Sequence, residues 1–78
     1  SELDEVDQLL FEKLKALRKD LADEQEVPAY VVFGDASLKD MLNLKPQNLE
    51  EFLEVSGVGE RKCEKYGRAF IDVLRCED

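Results

Sequence analysis

The sequence predicts an all-α fold, a compact single-domain bundle of about five helices. Its 78 residues are 44% hydrophobic and 38% charged, which is the balance of a globular chain rather than a disordered one. Apolar residues recur at spacings of three and four along most of the chain, the period of amphipathic helices. No repeat, low-complexity tract or linker divides it. We therefore predict one domain over residues 1–78, too small for an enzyme-sized cleft of its own.

The first helix is predicted from about residue 4 to residue 23. Its apolar stripe repeats every three or four positions and consists of Leu3, Val6, Leu10, Leu14, Leu17 and Leu21. The charged residues between them are predicted to lie on the solvated face: Lys13, Lys15, Arg18, Lys19, Glu12 and Asp20.

Residues 26–33 have the composition of a strand, because Tyr, Val and Phe favour pleated surfaces. We predict a buried helical turn instead. A lone strand has no partner elsewhere in the chain, and Pro28 suits the first position of a short helix, where its missing N–H costs nothing.

Two short helices are predicted next. Asp35 and Ser37 are both candidate N-caps for the first, which is expected to end at Asn43 and Pro46. Asn48, followed three residues later by Glu51, resembles a capping box at the start of the second. The apolar positions of the pair are Leu38, Met41 and Leu42, then Leu49, Phe52 and Leu53.

The last helix is predicted from residue 60 to about residue 75. Its apolar side consists of Cys63, Tyr66, Phe70, Val73 and Leu74, and its polar side carries Arg61, Lys65, Arg68 and Arg75. Gly67 is expected to bend or divide this helix, at roughly 1 kcal/mol relative to Ala.

The cysteines favour structural roles. Cys63 and Cys76 lie 13 residues apart in one helical stretch, about 20 Å at a rise of about 1.5 Å per residue, so a disulfide between them is not expected. With no His and no Cys-x-x-Cys, no zinc site is predicted, and free thiols suit a reducing cytosol. We interpret Cys63 as a core residue. Paired acids such as Glu50 and Glu51 are interpreted as solvated, so no catalytic residue or metal is predicted.

The net charge of −8 opposes binding to a polyanion as a whole. The acidity is uneven, however. Residues 1–26 hold 9 acids and 4 bases, residues 27–55 hold 5 and 2, and residues 56–78 hold 5 of each. Any contact with nucleic acid is therefore expected in the C-terminal third. No apolar run approaches the roughly 20 residues of a membrane span, and no targeting segment is visible, so we expect a soluble protein without a membrane partner.

The turn Gly57-Val58-Gly59 is a candidate phosphate site. Leu53-x-Val55-x-Gly57-Val58-Gly59 fits the helix-hairpin-helix pattern, in which turn amides meet a DNA phosphate without reading bases. Arg61, Lys62 and Lys65 follow at once. A purely structural hairpin uses the same glycines for backbone geometry, and this alternative stays open.

Several blocks stand in a fixed order along the chain: Leu14-x-x-Leu17-Arg18, Ala22-Asp-Glu-x-x-Val27-Pro-x-Tyr-Val-Val-Phe33, Asp35-Ala-Ser-Leu38 and Val55-x-Gly-Val-Gly59. Together they resemble a known family, the HRDC (helicase and RNase D C-terminal) domain of bacterial RecQ-type helicases. The resemblance covers nearly the whole chain. It implies an all-helical accessory domain of a larger 3′ to 5′ DNA helicase of repair and recombination, with ATP and Mg held by other domains of the parent.

The resemblance also implies weak binding to single-stranded or branched DNA, with the tyrosine of the Val-Pro-x-Tyr block, Tyr30, stacking on a base. The DNA-binding residues expected are Tyr30, Gly57, Val58, Gly59, Arg61, Lys62, Lys65 and Arg68. A bacterial, cytoplasmic and nucleoid-associated protein is implied. Two alternatives stay open: an acidic regulatory module that docks on the parent helicase or another protein, and the HRDC domain of an RNase D-type exonuclease. A Tyr30 buried in the core is the alternative to stacking.

Overall fold

The structure is a computed structural model that describes residues 5–75, apart from the side chain of Val6. These residues form five helices and contain no strand, which confirms the predicted all-α fold. The helices are α1 (Glu5–Gln25), α2 (Ala29–Val32), α3 (Asp35–Leu44), α4 (Leu49–Phe52) and α5 (Glu60–Arg75). The predicted helix start at residue 4, the Leu3 position and Cys76 lie outside the described residues.

The core is organised around the ring of Phe33, which is 1% exposed. Its centroid lies 5.2 Å from that of Phe70, 5.7 Å from that of Tyr66 and 6.0 Å from that of Phe52, each in an edge-to-face arrangement. Aromatic pairs favour this geometry because the positive ring edge meets the negative ring face. Residues distant in sequence are thereby joined in one cluster.

Helix α1 extends to Gln25, two residues beyond the prediction, and ends in a Schellman motif. Glu26 takes a left-handed φ of 58°. Its amide donates to the Asp23 carbonyl at 3.1 Å, and the amide of Val27 donates to the Ala22 carbonyl at 3.0 Å. No local pattern marks this end, because the left-handed position is a glutamate and not a glycine.

Arg18 is not on the solvated face, contrary to the prediction. Its side chain is only 13% exposed, and Nη1 donates to the Phe33 carbonyl at 3.1 Å and to Asp35 Oδ1 at 2.8 Å. The guanidinium pulls the Asp35 pKa below its ordinary value, through the hydrogen bond first and its charge second. One arginine therefore ties α1 to the junction between α2 and α3.

The segment after α1 is helical, as predicted, but Pro28 lies at the N-cap of α2 rather than at its first helical position. Its carbonyl accepts the Val31 amide at 3.0 Å. A cap residue needs only a free carbonyl and an extended ψ, and Pro28 provides both, with φ −64° and ψ 154°.

The two N-caps predicted for α3 are wrong. Gly34 is the N-cap, and its carbonyl accepts the amides of Ser37 and Leu38 at 3.1 and 3.3 Å. Asp35 is already helical and bonds Arg18 instead. Ser37 is buried and donates its hydroxyl to the Ser56 carbonyl. Both side chains therefore bond residues distant in sequence and do not cap the helix.

The capping prediction for α4 is confirmed in its main bond, since Asn48 Oδ1 accepts the Glu51 amide at 2.8 Å. The second bond of the capping box differs: Glu51 Oε1 accepts the amide of Gln47 at 2.8 Å, rather than that of Asn48. Helix α5 runs without interruption through Gly67, so the predicted division at this residue is wrong. A Cβ built there would lie 2.8 Å from Leu49 Cδ2, which explains the glycine as the point where α4 closes on α5.

Candidate nucleic-acid interface

The turn between α4 and α5 is held against α3 at Gly57. This glycine has a φ of 80°, and a Cβ added to it would lie 2.6 Å from Ser37 Oγ. The same hydroxyl donates to the Ser56 carbonyl at 2.6 Å. Gly57 is therefore required both by its left-handed backbone and by the closeness of Ser37.

A carboxylate of α3 accepts a hydrogen bond from the chain at the start of this turn. Asp40 Oδ2 accepts the Ser56 amide at 2.8 Å, so the amide just before the predicted phosphate cradle is already used by α3. Within the described part of the chain, the amides of Gly57 and Gly59 donate to no protein acceptor. Val58 is half-buried, and its amide donates to the Val55 carbonyl at 3.1 Å. Of the three predicted turn residues, Gly57 and Gly59 therefore keep amides that are free to donate to a ligand. The Asp40 carboxylate beside the turn disfavours an anionic ligand.

Two predicted cations contact the segment that joins α1 to α3. Lys62 is half-buried, and its Nζ lies 5.5 Å from the centroid of the Phe33 ring. Lys65 Nζ donates to Gln25 Oε1 at 2.8 Å and lies 5.4 Å from the Tyr66 centroid. The Tyr66 hydroxyl is itself within hydrogen-bonding distance of the Gln25 amide, at 2.8 Å from Nε2. The lysines thus contact both ends of residues 25–33.

Tyr30 lies on this same segment and is 73% exposed. Its neighbour Val31 is 40% exposed, whereas Val32 is fully buried. A four-residue helix presents one side to the core, and Tyr30 is on the other. Lys65 contacts residue 25 and Lys62 contacts residue 33, so the two ammonium groups lie at the two ends of the segment that carries Tyr30.

The two predicted arginines are exposed and lie on the outer side of α5. Neither forms an ion pair with any described residue. Arg68 borders a cleft at the start of α4, which it shares with Gln47, Leu49, Ile71 and Arg75. Arg61 is thus near the turn, and Arg68 lies on the same side of α5, about two turns further along.

A family model described as the HRDC domain matches residues 7–74, nearly the whole chain. The chain belongs to the HRDC domain family. This HRDC domain is 48% identical over 66 residues to the ATP-dependent DNA helicase RecQ of Bacillus subtilis, covering 85% of this chain and 11% of that one. It is 38% identical over 71 residues to the RecQ of Pasteurella multocida, covering 91% and 11%.

Other helicases carry a related segment. The ATP-dependent DNA helicase UvrD2 of Mycobacterium bovis is 39% identical over 71 residues, with 91% of this chain and 10% of that one covered. Among solved structures, the D. radiodurans RecQ HRDC domain 3 superposes with a TM-score of 0.83 at 37% identity, over 87% of this chain and 90% of that one. The chain therefore spans about a tenth of the length of the curated relatives quoted.

Cys63 serves the core of this HRDC domain, as predicted. It is 4% exposed, and its thiol donates to the Leu49 carbonyl at 3.4 Å. Burial, and secondarily the charge of Glu64, raises the thiol pKa, which keeps it protonated and unreactive at neutral pH. In the described range no group of three His, Cys, Asp or Glu residues could hold a metal, and no helix there is long and apolar enough to cross a membrane.

Sequence reasoning missed two residues that lie beside the predicted site, Gln25 and Asp40. Gln25 bonds both Lys65 and Tyr66 from 40 residues or more away in the chain. Asp40 reads in the sequence as one of many helix-surface acids and carries no local signal of its bond to Ser56. Neither belongs to a motif, so only the packing of the HRDC domain brings them to the site.

Proposed function

We propose that this HRDC domain is a non-catalytic accessory domain of an ATP-dependent DNA helicase and that it binds single-stranded DNA weakly, without reading sequence. The observation that carries the DNA-binding proposal is the exposed ring of Tyr30 on a segment contacted at both ends by lysines. The quoted relatives are all named as helicases, which favours a helicase parent over an RNase D-type exonuclease.

Tyr30 supplies the base contact in this proposal. An exposed aromatic ring stacks on any base, because every base has a π-face, and each such contact contributes about 1–3 kcal/mol. A ring that is 73% exposed needs no rearrangement of the core to do so.

The neighbouring cations and amides supply the phosphate contacts. An ammonium group has three donors, so Lys65 can keep its bond to Gln25 and still donate to a phosphate. Arg61 is exposed and unpaired within the described residues, and the amides of Gly57 and Gly59 point to a second, backbone contact. Arg68 extends the same surface along α5.

The net charge of the chain limits its affinity for single-stranded DNA. A net charge of −8 repels the strand at long range, and Asp40 adds a carboxylate beside the turn. Affinity is therefore weak and strongly dependent on salt. Three phosphate contacts give a slope of log K against log salt of about −2 for a single strand.

The test is a titration of the 78-residue chain into a fluorescently labelled oligo-dT, read by anisotropy at about 50 mM and about 200 mM salt. Tyr30→Ala should weaken binding about 5-fold or more, whereas Tyr30→Phe keeps the ring and should bind like the wild type. Leu44→Ala is the matched control, because Leu44 is 47% exposed on α3 and belongs to no predicted site.

Absence of binding at the lower salt concentration would end the DNA proposal. It would leave the regulatory module with little DNA affinity as the better interpretation. Equal losses from Tyr30→Ala and Leu44→Ala would instead remove Tyr30 from the site while keeping DNA binding.

A further inference from the structure

Helix α4 exposes apolar surface that the DNA proposal does not use. Leu49 is 36% exposed and Leu53 is 41% exposed, although Phe52 between them is fully buried. Residues four apart in a helical turn lie on the same side, so these two leucines form one patch. They line a groove of about 340 Å³ between α4 and α5, here called the α4–α5 groove, with Glu50, Glu60, Cys63 and Glu64.

The wall of this groove is fixed by two contacts. The Cys63 thiol donates to the Leu49 carbonyl at 3.4 Å. The missing side chain of Gly67 lets Leu49 pack directly on α5, since a Cβ there would lie 2.8 Å from Leu49 Cδ2. A groove held in this way exists before a partner arrives, which lowers the entropy cost of binding.

The rim of the α4–α5 groove is acidic. Glu50, Glu60 and Glu64 are exposed, and none of them forms an ion pair with another described residue. The groove therefore presents three glutamates that have no ion-pair partner among the described residues, around two exposed leucines. This combination complements a cationic, apolar ligand.

We propose that the α4–α5 groove binds a basic amphipathic helix of a partner protein, with an apolar side chain seated between Leu49 and Leu53 and lysines or arginines facing the three glutamates. Recognition of an amphipathic helix in a groove requires apolar anchors at helical spacing and matched charge at the rim, and both are present. The proposal does not depend on DNA binding by the chain.

The groove and Lys62 lie on different sides of α5. Glu60 and Glu64 are each two residues from Lys62, about 200° around a helix of about 3.6 residues per turn. A partner helix in the groove therefore leaves Lys62 uncovered.

The probe is a synthetic peptide of about 14 residues that places Leu at helical spacing among Lys, long enough to form a helix on binding. Its counterpart replaces every Lys by Glu. Titration of the 78-residue chain followed by backbone amide NMR should shift residues 49–53 and 60–64 with the Lys peptide and leave them unchanged with the Glu peptide.

Two pairs of variants distinguish binding in the groove from general attraction to an acidic protein. Glu64→Lys and Glu24→Lys change the net charge equally, but Glu24 lies on α1, away from the groove. Glu64→Lys and Leu53→Ser should each weaken the Lys peptide about 5-fold or more, and Glu24→Lys and Leu44→Ser should stay within about 2-fold of wild type. Equal losses from Glu24→Lys and Glu64→Lys, shifts centred on α1, or no binding of the Lys peptide would overturn the proposal.

Discussion

The two flanks of α5 differ in whether their charged side chains contact other residues of the protein. The cationic flank, Lys62 and Lys65, is engaged with the Phe33 ring and with Gln25. The acidic flank, Glu60 and Glu64, pairs with no described residue. Charges that are already engaged have lost part of their side-chain entropy and sit in a defined place, whereas free charges are available to any ligand of opposite sign. The helix therefore offers two chemically distinct surfaces rather than one basic face.

The largest expected effect is a difference in folding stability between variants on the two flanks, because only the cationic flank rests on the core. Phe33→Ala should cost about 3–5 kcal/mol, because it removes a fully packed ring together with the surface on which Lys62 rests. Leu53→Ala on the groove side should cost about 1 kcal/mol, since that side chain is 41% exposed. Urea unfolding followed by circular dichroism measures both. Similar losses for the two variants would show that the flanks do not differ in this way.

The next effect concerns the turn from which both flanks start. Gly57→Ala should destabilise the fold by about 2 kcal/mol, because φ is 80° and the new Cβ meets Ser37 Oγ. Gly59→Ala is the matched control. No heavy atom lies within 4 Å of a Cβ at that position, so the loss should be about 0.5 kcal/mol or less. Thermal melts of the pair, read at the same pH, give the comparison; a stable Gly57→Ala variant would mean that the turn relaxes without cost.

A smaller effect is expected at the residue that holds the cationic flank in place. Gln25→Ala should cost about 1 kcal/mol, because the buried Tyr66 hydroxyl loses its partner and Lys65 loses an acceptor. Gln8→Ala, on the exposed face of α1, should be neutral. Urea midpoints decide between the two outcomes, and a neutral Gln25→Ala would show that Lys65 is as free as the glutamates.

The smallest effect is the pH dependence of the bond between Arg18 and Asp35. Since the folded pKa of Asp35 is lowered, the bond stabilises the fold above the unfolded pKa and is lost as the pH falls through the folded value. Asp35→Asn should therefore lower the urea midpoint at pH 7, and the difference from wild type should shrink in acid. Asp20→Asn, on an exposed part of α1, provides the baseline. A difference that does not change with pH would mean that the carboxylate charge contributes nothing.

Much of the fold followed from patterns confined to single segments. The stripe of leucines in α1 and the apolar side of α5 repeat at helical spacing, which is a local property. The Asn48 cap of α4 is local too, because it accepts an amide three residues away. The site was less predictable. The sequence named the lysines and the glycines, but it could not say that Lys65 bonds Gln25 or that Asp40 occupies an amide of the turn.

The sequence by itself determined an all-α HRDC domain, its helical segments, the aromatic residues of its core and a chain more acidic at its beginning than at its end. The tertiary structure alone decided that Arg18 and Ser37 are internal, that Tyr30 is exposed, and that Gly67 serves close packing rather than a bend. The physical reason is the range of the interactions. Helical periodicity and capping act within a few residues, whereas the partner of a polar side chain is chosen by segments that meet only when the chain has folded.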